Sequence, residues 1–397
     1  MLYSLDTENI SIKEQNISKI SDFSPKNHQS NPKQVENPQE EFMNKVNQIK
    51  EAQEKDKQKE KENSTDNLLN IEYVKKIILK GCPKFNEKFE LLEPINSGST
   101  GAVFKGKYKN SKKFFAFKIM KEKRNEKPKN IKDYKEVLIH KNLHYKNIPE
   151  LHGFFPLNQN HSCMIMDYNI YGDLESFKRK TLKRICLSET LISFISGNII
   201  EGLAYLNRNN IIHLDIKQQN ILVDEFLNIK ITDFSVSMKY DTKKPYIDLP
   251  MVGTCYYMSP EVLASKRILV SEASKIDIYS FGVLLYVLAF NDYPYELDNV
   301  DHKNYKEILK NIEEKELVFP KGTGHSDLFI NFLKKCLEKD IKKRYNIYQV
   351  MNDPWMKSYQ IILNEKNNLY NAGKFMIEML VDSIKPFNDY IKPKEKS

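Results

Sequence analysis

Glycine and cysteine are scarce in this chain of 397 residues. The 13 glycines are about half the usual share, which excludes collagen-like and glycine-rich linker proteins. The five cysteines, Cys82, Cys163, Cys186, Cys255 and Cys336, are widely spaced and form no CxxC pair. This spacing disfavours both a disulfide framework and a zinc site, and we expect a protein of a reducing compartment.

Targeting and membrane signals are also missing from the sequence. The opening MLYSLDTENI has no apolar core of a signal peptide, Leu2 stands where N-myristoylation needs glycine, and the final KEKS is no prenylation box. The longest apolar run, residues 278–290, is too short to span a bilayer and predicts a buried core helix. We therefore expect a soluble, cytoplasmic protein without a transmembrane segment.

Charge is unevenly distributed along the chain. The formal net charge is +9, but residues 1–80 hold 13 lysines and 14 acidic residues, so the basic excess belongs to the remainder. Two interpretations stay open: a surface that steers acidic substrates or anionic surfaces towards it, or a solvated lysine-rich surface without a partner. We expect no nucleic-acid partner.

Composition divides the chain into segments. Residues 1–65 are rich in Asn, Gln, Lys, Glu and Ser, which predicts a disordered low-complexity segment or a solvated helix. Residues 66–84 contain the amphipathic stretch NLLNIEYVKKIILK, which predicts a short helix or linker. Residues 357–397 predict a helical tail, since apolar residues recur there at roughly helical spacing. The tail could dock on its own domain, bind a regulatory partner or regulate the site, and the N-terminal segment could also bind a regulator.

A folded domain is predicted between residues 85 and 356. Its first part contains FELLEPINSG, GAVFKGKYK and KFFAFKIM, three runs of aliphatic and aromatic residues that predict consecutive antiparallel strands. A helix is predicted over 133–143. Beyond residue 185 helical patterns dominate, among them 188–208, which begins with the capping residue Ser188. A small β-rich part followed by a larger helical part predicts an α+β fold with two lobes.

Three features of the first part could bind a nucleotide, although each is a weak signal alone. The turn from Asn96 to Val103 is rich in small residues, which let backbone N–H groups approach phosphate oxygens closely. Lys118 ends the strand run FFAFK, where an isolated lysine is usually a solvated edge residue. Glu136 follows 18 residues later on the predicted helix, where it could pair with a buried lysine.

The strongest signal is the segment HLDIKQQNIL at 213–222, followed by KITDF at 230–234. Asp215 and Asn220 are five residues apart, and Asp233 follows 13 residues later, each on a loop beside apolar strand residues. Two carboxylates and an amide in this arrangement suit a general base and two oxygen ligands for a hard cation such as Mg²⁺.

In this order the motifs resemble those of eukaryotic protein kinases of the serine/threonine type, across roughly residues 85–356. The resemblance implies a bilobal α+β fold. Its N-lobe, about 85–166, would be a five-stranded antiparallel sheet plus one helix, and its C-lobe, about 167–356, mainly helical. It also implies ATP and Mg²⁺ as cofactors and protein substrates with Ser or Thr acceptors.

The resemblance assigns a role to individual residues of the nucleotide site. Lys118 would bind the α- and β-phosphates, Glu136 would position that lysine, and Asp173 would lie near the ribose. Val103, Ala116 and Leu222 would enclose the adenine, and Met166, Asp167 and Tyr168 would form the hinge, with Met166 as gatekeeper. The loop over the phosphates would comprise Ile95, Asn96, Ser97, Gly98, Ser99, Thr100, Gly101, Ala102 and Val103.

The resemblance also assigns the chemistry. Asp215 would be the catalytic base, Lys217 the lysine on the γ-phosphate, and Asn220 and Asp233 the Mg²⁺ ligands. Lys217 and Thr254 favour Ser or Thr as acceptors over Tyr. Residues 253–261 would form the end of the activation segment, which holds peptide substrates. Residues 277–282 would belong to a buried helix that anchors the catalytic loop, and Arg344 would pair with Glu261.

Four positions depart from the family pattern. Asn96 and Ser235 each replace a glycine, and serine at 235 would strain the backbone if that position needs a positive φ angle. His140 replaces an apolar residue near Phe234, either as a packed neutral side chain or as a pH switch. Leu214 replaces an arginine that pairs with a phosphate on the activation segment, so activity is expected not to depend strongly on phosphorylation of residues 236–258, where Ser237 and Thr242 are the obvious acceptors.

Two alternatives to an active protein kinase stay open. Asn96 and Ser235 are compatible with a pseudokinase that binds nucleotide or acts as a scaffold without turnover. A kinase of small molecules on the same fold is the other alternative, and the segment 253–261 disfavours it.

Overall fold

The computed structural model describes residues 70–98, 101–121, 134–158, 160–181, 186–226, 228–295, 301, 304–320 and 323–357. The predictions for residues 1–65, for the tail beyond 357, and for Ser99 and Thr100 lie outside these residues. The chain forms two compact units. The sheet unit takes the described residues before 129 together with 151–167, and the helical unit takes those of 129–150 and from 168 onward.

The sheet unit is built on five antiparallel strands in the order β1-β2-β3-β5-β4. This confirms the predicted five-stranded sheet, and the three strands predicted from sequence are correct to within one residue at each end. β3 lies in the middle of the sheet and is buried on both faces, because nearly all of its side chains are apolar. The strands are β1 Phe89–Gly98, β2 Gly101–Tyr108, β3 Phe114–Lys121, β4 Leu151–Pro156 and β5 His161–Asp167.

Two helices precede the sheet and pack against it: α1, Ile71–Gly81, and α2, Pro83–Lys88. The side chain of Asn70 caps α1 by accepting the backbone N–H groups of residues 72 and 73. The apolar side of α1 is buried in one cluster with sheet residues, and the ring of Phe85 on α2 lies 5.8 Å from that of Phe117 on β3. The predicted helix is therefore present, but it belongs to the core of the sheet unit and is not merely a linker.

The helical unit contains eight helices and three short antiparallel strand pairs among its described residues. The pairs are β6 Ile211–Ile212 with β9 Met238–Lys239, β7 Ile221–Val223 with β8 Ile229–Ile231, and β10 Tyr246–Asp248 with β11 Arg267–Leu269. The helices are α3 Lys135–His140, α4 Leu174–Thr181, α5 Glu189–Arg208, α6 Pro260–Leu263, α7 Ala273–Phe290, α8 Tyr305–Glu314, α9 Asp327–Cys336 and α10 Ile347–Asn352.

Two of these helices were predicted in detail. α5 begins immediately after Ser188, whose hydroxyl accepts the N–H of Leu191, as the capping signal indicated. α3 is shorter than the predicted 133–143, of which residue 133 lies outside the described residues. It groups with the helical unit, whereas the sequence analysis placed this helix in the N-lobe together with the five-stranded sheet.

The apolar run at 278–290 forms most of α7. Residues 270–290 are long and apolar enough to cross a membrane by length and composition alone, but 94% of an 18-residue window within them is buried in the protein. Nearly every side chain from Ile276 to Phe290 packs into the core of the helical unit. The prediction of a buried core helix is confirmed.

Candidate active site

The loop that carries Asp215 follows β6 and is fixed by a buried carboxylate of α7. Asp277 accepts the backbone N–H of His213 at 2.8 Å and that of Leu214 at 3.0 Å, one on each carboxylate oxygen. Burial raises the pKa of Asp277, while these two N–H donors act in the opposite direction. Leu214 adopts the left-handed backbone region with φ 67°, which turns the chain sharply just before Asp215.

The carboxylate of Asp215 is almost fully buried and surrounded by donors. Its Oδ2 lies 2.7 Å from Nζ of Lys217 and accepts Nδ2 of Asn220 at 2.8 Å. Its Oδ1 accepts both the backbone N–H and the hydroxyl of Thr254, at 2.9 and 2.7 Å. Four groups from three residues therefore fix one carboxylate, and such charge-assisted hydrogen bonds are the strong ones.

Asn220 and Asp233 are brought together by the β7–β8 pair. Asn220 ends a short 3₁₀ turn directly before β7, and its carbonyl accepts the N–H of Thr232, directly before Asp233. The amide nitrogen of Asn220 donates to the backbone and the side chain of Asp215, which fixes the orientation of its amide oxygen. Asp233 has a φ of 67°, so the chain turns there as it does at Leu214.

This pair of oxygen donors fits a Mg²⁺ ion. No group of three or more His, Cys, Asp or Glu side chains suited to a metal occurs among the described residues. Mg²⁺ commonly takes only one or two protein oxygens, with the remaining ligands from water and substrate phosphates. One carboxylate and one oriented amide therefore suffice for that ion, whereas they would be a poor site for zinc.

A positive φ angle at Ser235, which would have strained the backbone there, is not found. Ser235 is not among the described residues with positive φ, and its N–H donates to Oδ1 of Asp233 at 3.2 Å. The left-handed conformation lies two residues earlier, at Asp233, a residue type that tolerates it comparatively well. Serine therefore replaces glycine at 235 without a backbone penalty of that kind.

Phe234 is fully buried between two imidazoles. The ring of His140 on α3 lies 5.0 Å from it and that of His213 lies 5.3 Å from it. Nε2 of His140 lies 2.7 Å from the carbonyl oxygen of Pro149. The prediction that His140 is a packed side chain near Phe234 is confirmed.

The segment after Phe234 returns to Asp215 through Gly253 and Thr254. Gly253 has φ 109°, and a Cβ atom there would lie 2.3 Å from the carbonyl oxygen of Leu214, so only glycine fits. Thr254 accepts Nζ of Lys217 at 2.7 Å while donating to Asp215. Further along, Arg344 and Glu261 form a buried bidentate pair at 3.0 and 3.1 Å, as the sequence predicted.

The turn between β1 and β2 in the sheet unit carries the small residues predicted to face phosphates. The two strands stay paired to Gly98 and Gly101, with Asn96 opposite Val103 and Ser97 opposite Ala102. A Cβ atom on Gly101 would lie 2.0 Å from the carbonyl oxygen of Ile119, so β2 approaches β3 too closely for a side chain there. The Oδ1 atom of Asn96 accepts the N–H of Ser97.

Lys118 lies on the central strand β3 and is only 6% exposed. The alternative of a solvated edge lysine is therefore wrong. Its strand neighbours are Val103 on β2 and Met164 on β5, and Ala116 is opposite Met166. Glu136 is buried in the first turn of α3, in the helical unit.

The predicted hinge and ribose residues have structural partners of their own. Asp167 at the end of β5 lies 2.8 Å from Nε2 of His152, and Tyr168 begins the next stretch of the helical unit. Asp173 caps α4: its carboxylate accepts the N–H and the hydroxyl of Ser176. Its backbone bridges to that of Leu222. Ile95 on β1 is exposed.

One contact of the helical unit escaped the sequence analysis. Arg267 on β11 forms a bidentate pair with Asp248 on β10, with nitrogen–oxygen distances of 2.6 and 3.2 Å. The available signal was the pair of β-prone runs YIDL, 246–249, and RILV, 267–270, which are short enough to resemble ordinary loop sequence. The two runs lie some twenty residues apart in the sequence. Sequence periodicity predicts single strands but not which distant strands pair with each other.

Comparisons with known proteins match most of this chain to one family. A family model described as the protein kinase domain matches residues 89–356. The chain is 30% identical over 74% of its length to serine/threonine-protein kinase pakF of Dictyostelium discoideum, and covers 24% of that protein. It is 29% identical over 76% of its length to calcium-dependent protein kinase 4 of Plasmodium falciparum, covering 55% of it. For human serine/threonine-protein kinase tousled-like 1 the identity is 27% over 74% of the chain, covering 40% of the relative. The chain thus spans between a quarter and just over half of these relatives.

Proposed function

Because the chain belongs to the protein kinase family, we propose that it transfers the γ-phosphate of ATP to Ser and Thr hydroxyls of protein substrates. The observation that carries the proposal is the carboxylate of Asp215, which contacts Lys217, Asn220 and Thr254 within 2.9 Å. A buried carboxylate with a lysine and a hydroxyl on its two oxygens suits the orientation of an incoming alcohol. Phosphoryl transfer needs such positioning and charge neutralisation more than it needs covalent chemistry.

In this proposal each residue has one task. Asp215 orients the acceptor hydroxyl and takes its proton, and Lys217 neutralises charge on the transferred group. Asn220 and Asp233 hold Mg²⁺, which supplies further neutralisation of the triphosphate when bound. Lys118 contacts the α- and β-phosphates, and its burial on a central strand supports a role other than solvation.

The nucleotide residues form the larger part of the proposed site. Glu136 positions Lys118, and Asp173 contacts the ribose while capping α4. Val103, Ala116 and Leu222 enclose the adenine, and Met166, Asp167 and Tyr168 form the hinge. The backbone from Ile95 to Val103 covers the phosphates, and the small residues of this turn support a close approach of its N–H groups.

Thr254 supports Ser and Thr as acceptors. Its hydroxyl bridges Asp215 and Lys217, next to the proposed base. An aliphatic acceptor hydroxyl is short and must come close to Asp215, which a compact bridge of this kind allows.

We propose in addition that activity does not depend strongly on phosphorylation of residues 236–258. Leu214 is buried and apolar and supplies no charge to a phosphate. Ser237 is fully buried and donates its hydroxyl to the carbonyl oxygen of His213, so it is a poor acceptor for another kinase. Thr242 is exposed and is the residue to test. This part of the proposal would be wrong if Thr242→Ala abolished activity and if phosphorylation of Thr242 restored the activity of the dephosphorylated wild type.

The central test is phosphoryl transfer by the full chain. Labelled Mg-ATP is supplied with generic protein substrates to the wild type, to Asp215→Asn and to Asp292→Asn, a matched change at an exposed carboxylate. Transfer to protein that disappears only in Asp215→Asn supports the proposal. Nucleotide binding without transfer would favour a pseudokinase, and transfer only to small alcohols or amines would favour a small-molecule kinase.

A further inference from the structure

The β10–β11 ladder ties the segment that carries Thr254 to the chain that leads into α7. Tyr246, Ile247 and Asp248 pair with Leu269, Ile268 and Arg267. Backbone hydrogen bonds extend the ladder at both ends: Val270 donates to the carbonyl of Pro245, and Leu249 donates to that of Lys266. The ladder thus covers five residues of each segment, 245–249 and 266–270.

The two faces of the ladder differ in burial. Ile247, Ile268 and Leu249 are all buried in the core of the helical unit. The opposite face carries the exposed pair of Asp248 with Arg267, in which Nε and Nη2 of the guanidinium contact the two carboxylate oxygens. Burial specifies the register of the strands, since a slip of either strand by one residue would turn its isoleucine towards solvent. The bidentate pair adds a second constraint to the same register.

Only four residues, 250–253, separate the ladder from Thr254, and both ends of this linker are held by contacts. Leu249 is buried, the N–H of Val252 donates to the carbonyl of Pro250, and Gly253 lies against the carbonyl of Leu214. A linker this short and constrained cannot absorb a displacement at its origin. The position of the ladder therefore determines where the N–H and the hydroxyl of Thr254 meet Asp215.

We propose that Arg267 and Asp248 are positioning residues for phosphoryl transfer, acting through the ladder on Thr254 and, through Thr254, on Asp215 and Lys217. Backbone pairing joins the two strands, and the Asp248–Arg267 side-chain pair helps to hold their register. This inference rests on the proposed protein kinase activity, but its structural part can be measured without it.

The test reverses each charge and then both. Asp248→Arg and Arg267→Asp each place like charges opposite one another across the strands, which disfavours pairing, whereas the double variant restores an opposite-charge pair. Lys146→Glu is the matched control, because Lys146 forms an exposed pair with Glu201 elsewhere in the helical unit. We expect each single reversal to lower kcat/KM for a protein substrate by about threefold to tenfold, with the KM for ATP and the melting temperature nearly unchanged. The double variant should recover to within about twofold of the wild type, and the control should match the wild type.

Amide hydrogen exchange distinguishes a failure of the proposed kinase activity from a failure of this inference. In each single reversal we expect faster exchange over residues 245–257, including the N–H of Thr254, and recovery in the double variant. An inactive wild type would refute the proposed function, while the exchange measurement would still decide whether the ladder fixes Thr254. An active wild type whose single reversals keep both full activity and slow exchange at Thr254 would overturn the inference. So would single reversals that the double variant fails to rescue.

Discussion

The hydroxyl of Thr254 donates to Oδ1 of Asp215 at 2.7 Å. The two residues are 39 positions apart in the sequence, and the same hydroxyl accepts Nζ of Lys217. Thr254 therefore links the loop after β6 to the segment after β10, and its removal should affect both parts of the site.

Replacing Thr254 by valine keeps the shape of the side chain and removes the hydroxyl. Because a hydrogen bond to a charged group contributes about 1.5–3 kcal/mol, we expect kcat/KM for a protein substrate to fall by roughly 10- to 100-fold. Thr254→Ser, which keeps the hydroxyl, should stay within about threefold of the wild type. Steady-state kinetics on both variants checks this, and equal activity of Thr254→Val and Thr254→Ser would contradict it.

Asp277→Asn should destabilise the helical unit. Both carboxylate oxygens of Asp277 accept backbone N–H groups, and an amide offers only one acceptor oxygen, so one buried donor loses its partner. The free energy of unfolding should fall by about 1–3 kcal/mol. Chemical denaturation measures this change, with Asp292→Asn as the exposed control. A stability equal to that of the control would show that the two N–H groups find other acceptors.

Truncating the apolar side of α1 should destabilise the sheet unit. Ile78 is fully buried in the cluster that includes Phe117, so Ile78→Ala should cost about 2–5 kcal/mol of unfolding free energy. Lys76→Ala on the exposed side of the same helix should change it by no more than about 0.5 kcal/mol. Equal stabilities in a denaturant titration would mean that α1 does not belong to the core.

Acid should destabilise the protein in part through His325. Burial lowers the pKa of His325, although the carbonyl of Ala289 and the carboxylate of Glu189 act in the opposite direction. The unfolded chain then binds a proton near pH 6.5 while the folded chain resists it, so stability is lost as the pH falls below that value. Melting temperatures of the wild type and His325→Gln between pH 7.5 and 5 check this, since the variant should lose less. A decline of the same size in both would contradict the assignment. His161 should contribute with the same sign, because burial and Lys121 lower its pKa as well.

Ser235→Gly should bring no gain. The left-handed conformation occurs at Asp233 and not at Ser235, so glycine relieves no strain and adds freedom to the unfolded chain. We expect stability to fall by about 0.5–1 kcal/mol and activity not to rise. A glycine variant that is more stable or clearly more active than the wild type would show that serine does limit the enzyme.

Much of the fold could be predicted from local sequence. The first three strands, the capped start of α5 at Ser188 and the buried α7 all follow from periodicity and terminal residues, because these signals act over a few residues. α1 was predicted as a helix but not as part of the core, since an amphipathic pattern shows that a helix has an apolar side and not what covers it. The environment of Lys118 was also beyond the sequence, because a strand's place in its sheet depends on pairing between distant segments.

By itself the order of residues from Asn96 to Arg344 determined the family, because several motifs at set spacings seldom coincide. It also determined which side chains could act as base, cation and metal ligand, since these depend on residue type. Only the tertiary structure decided that Thr254 contacts Asp215, that Asp277 accepts the N–H groups of His213 and Leu214, and that β10 pairs with β11. Those contacts join segments that are tens of residues apart, and the free energy that selects them comes from burial and pairing, which exist only once the chain has folded.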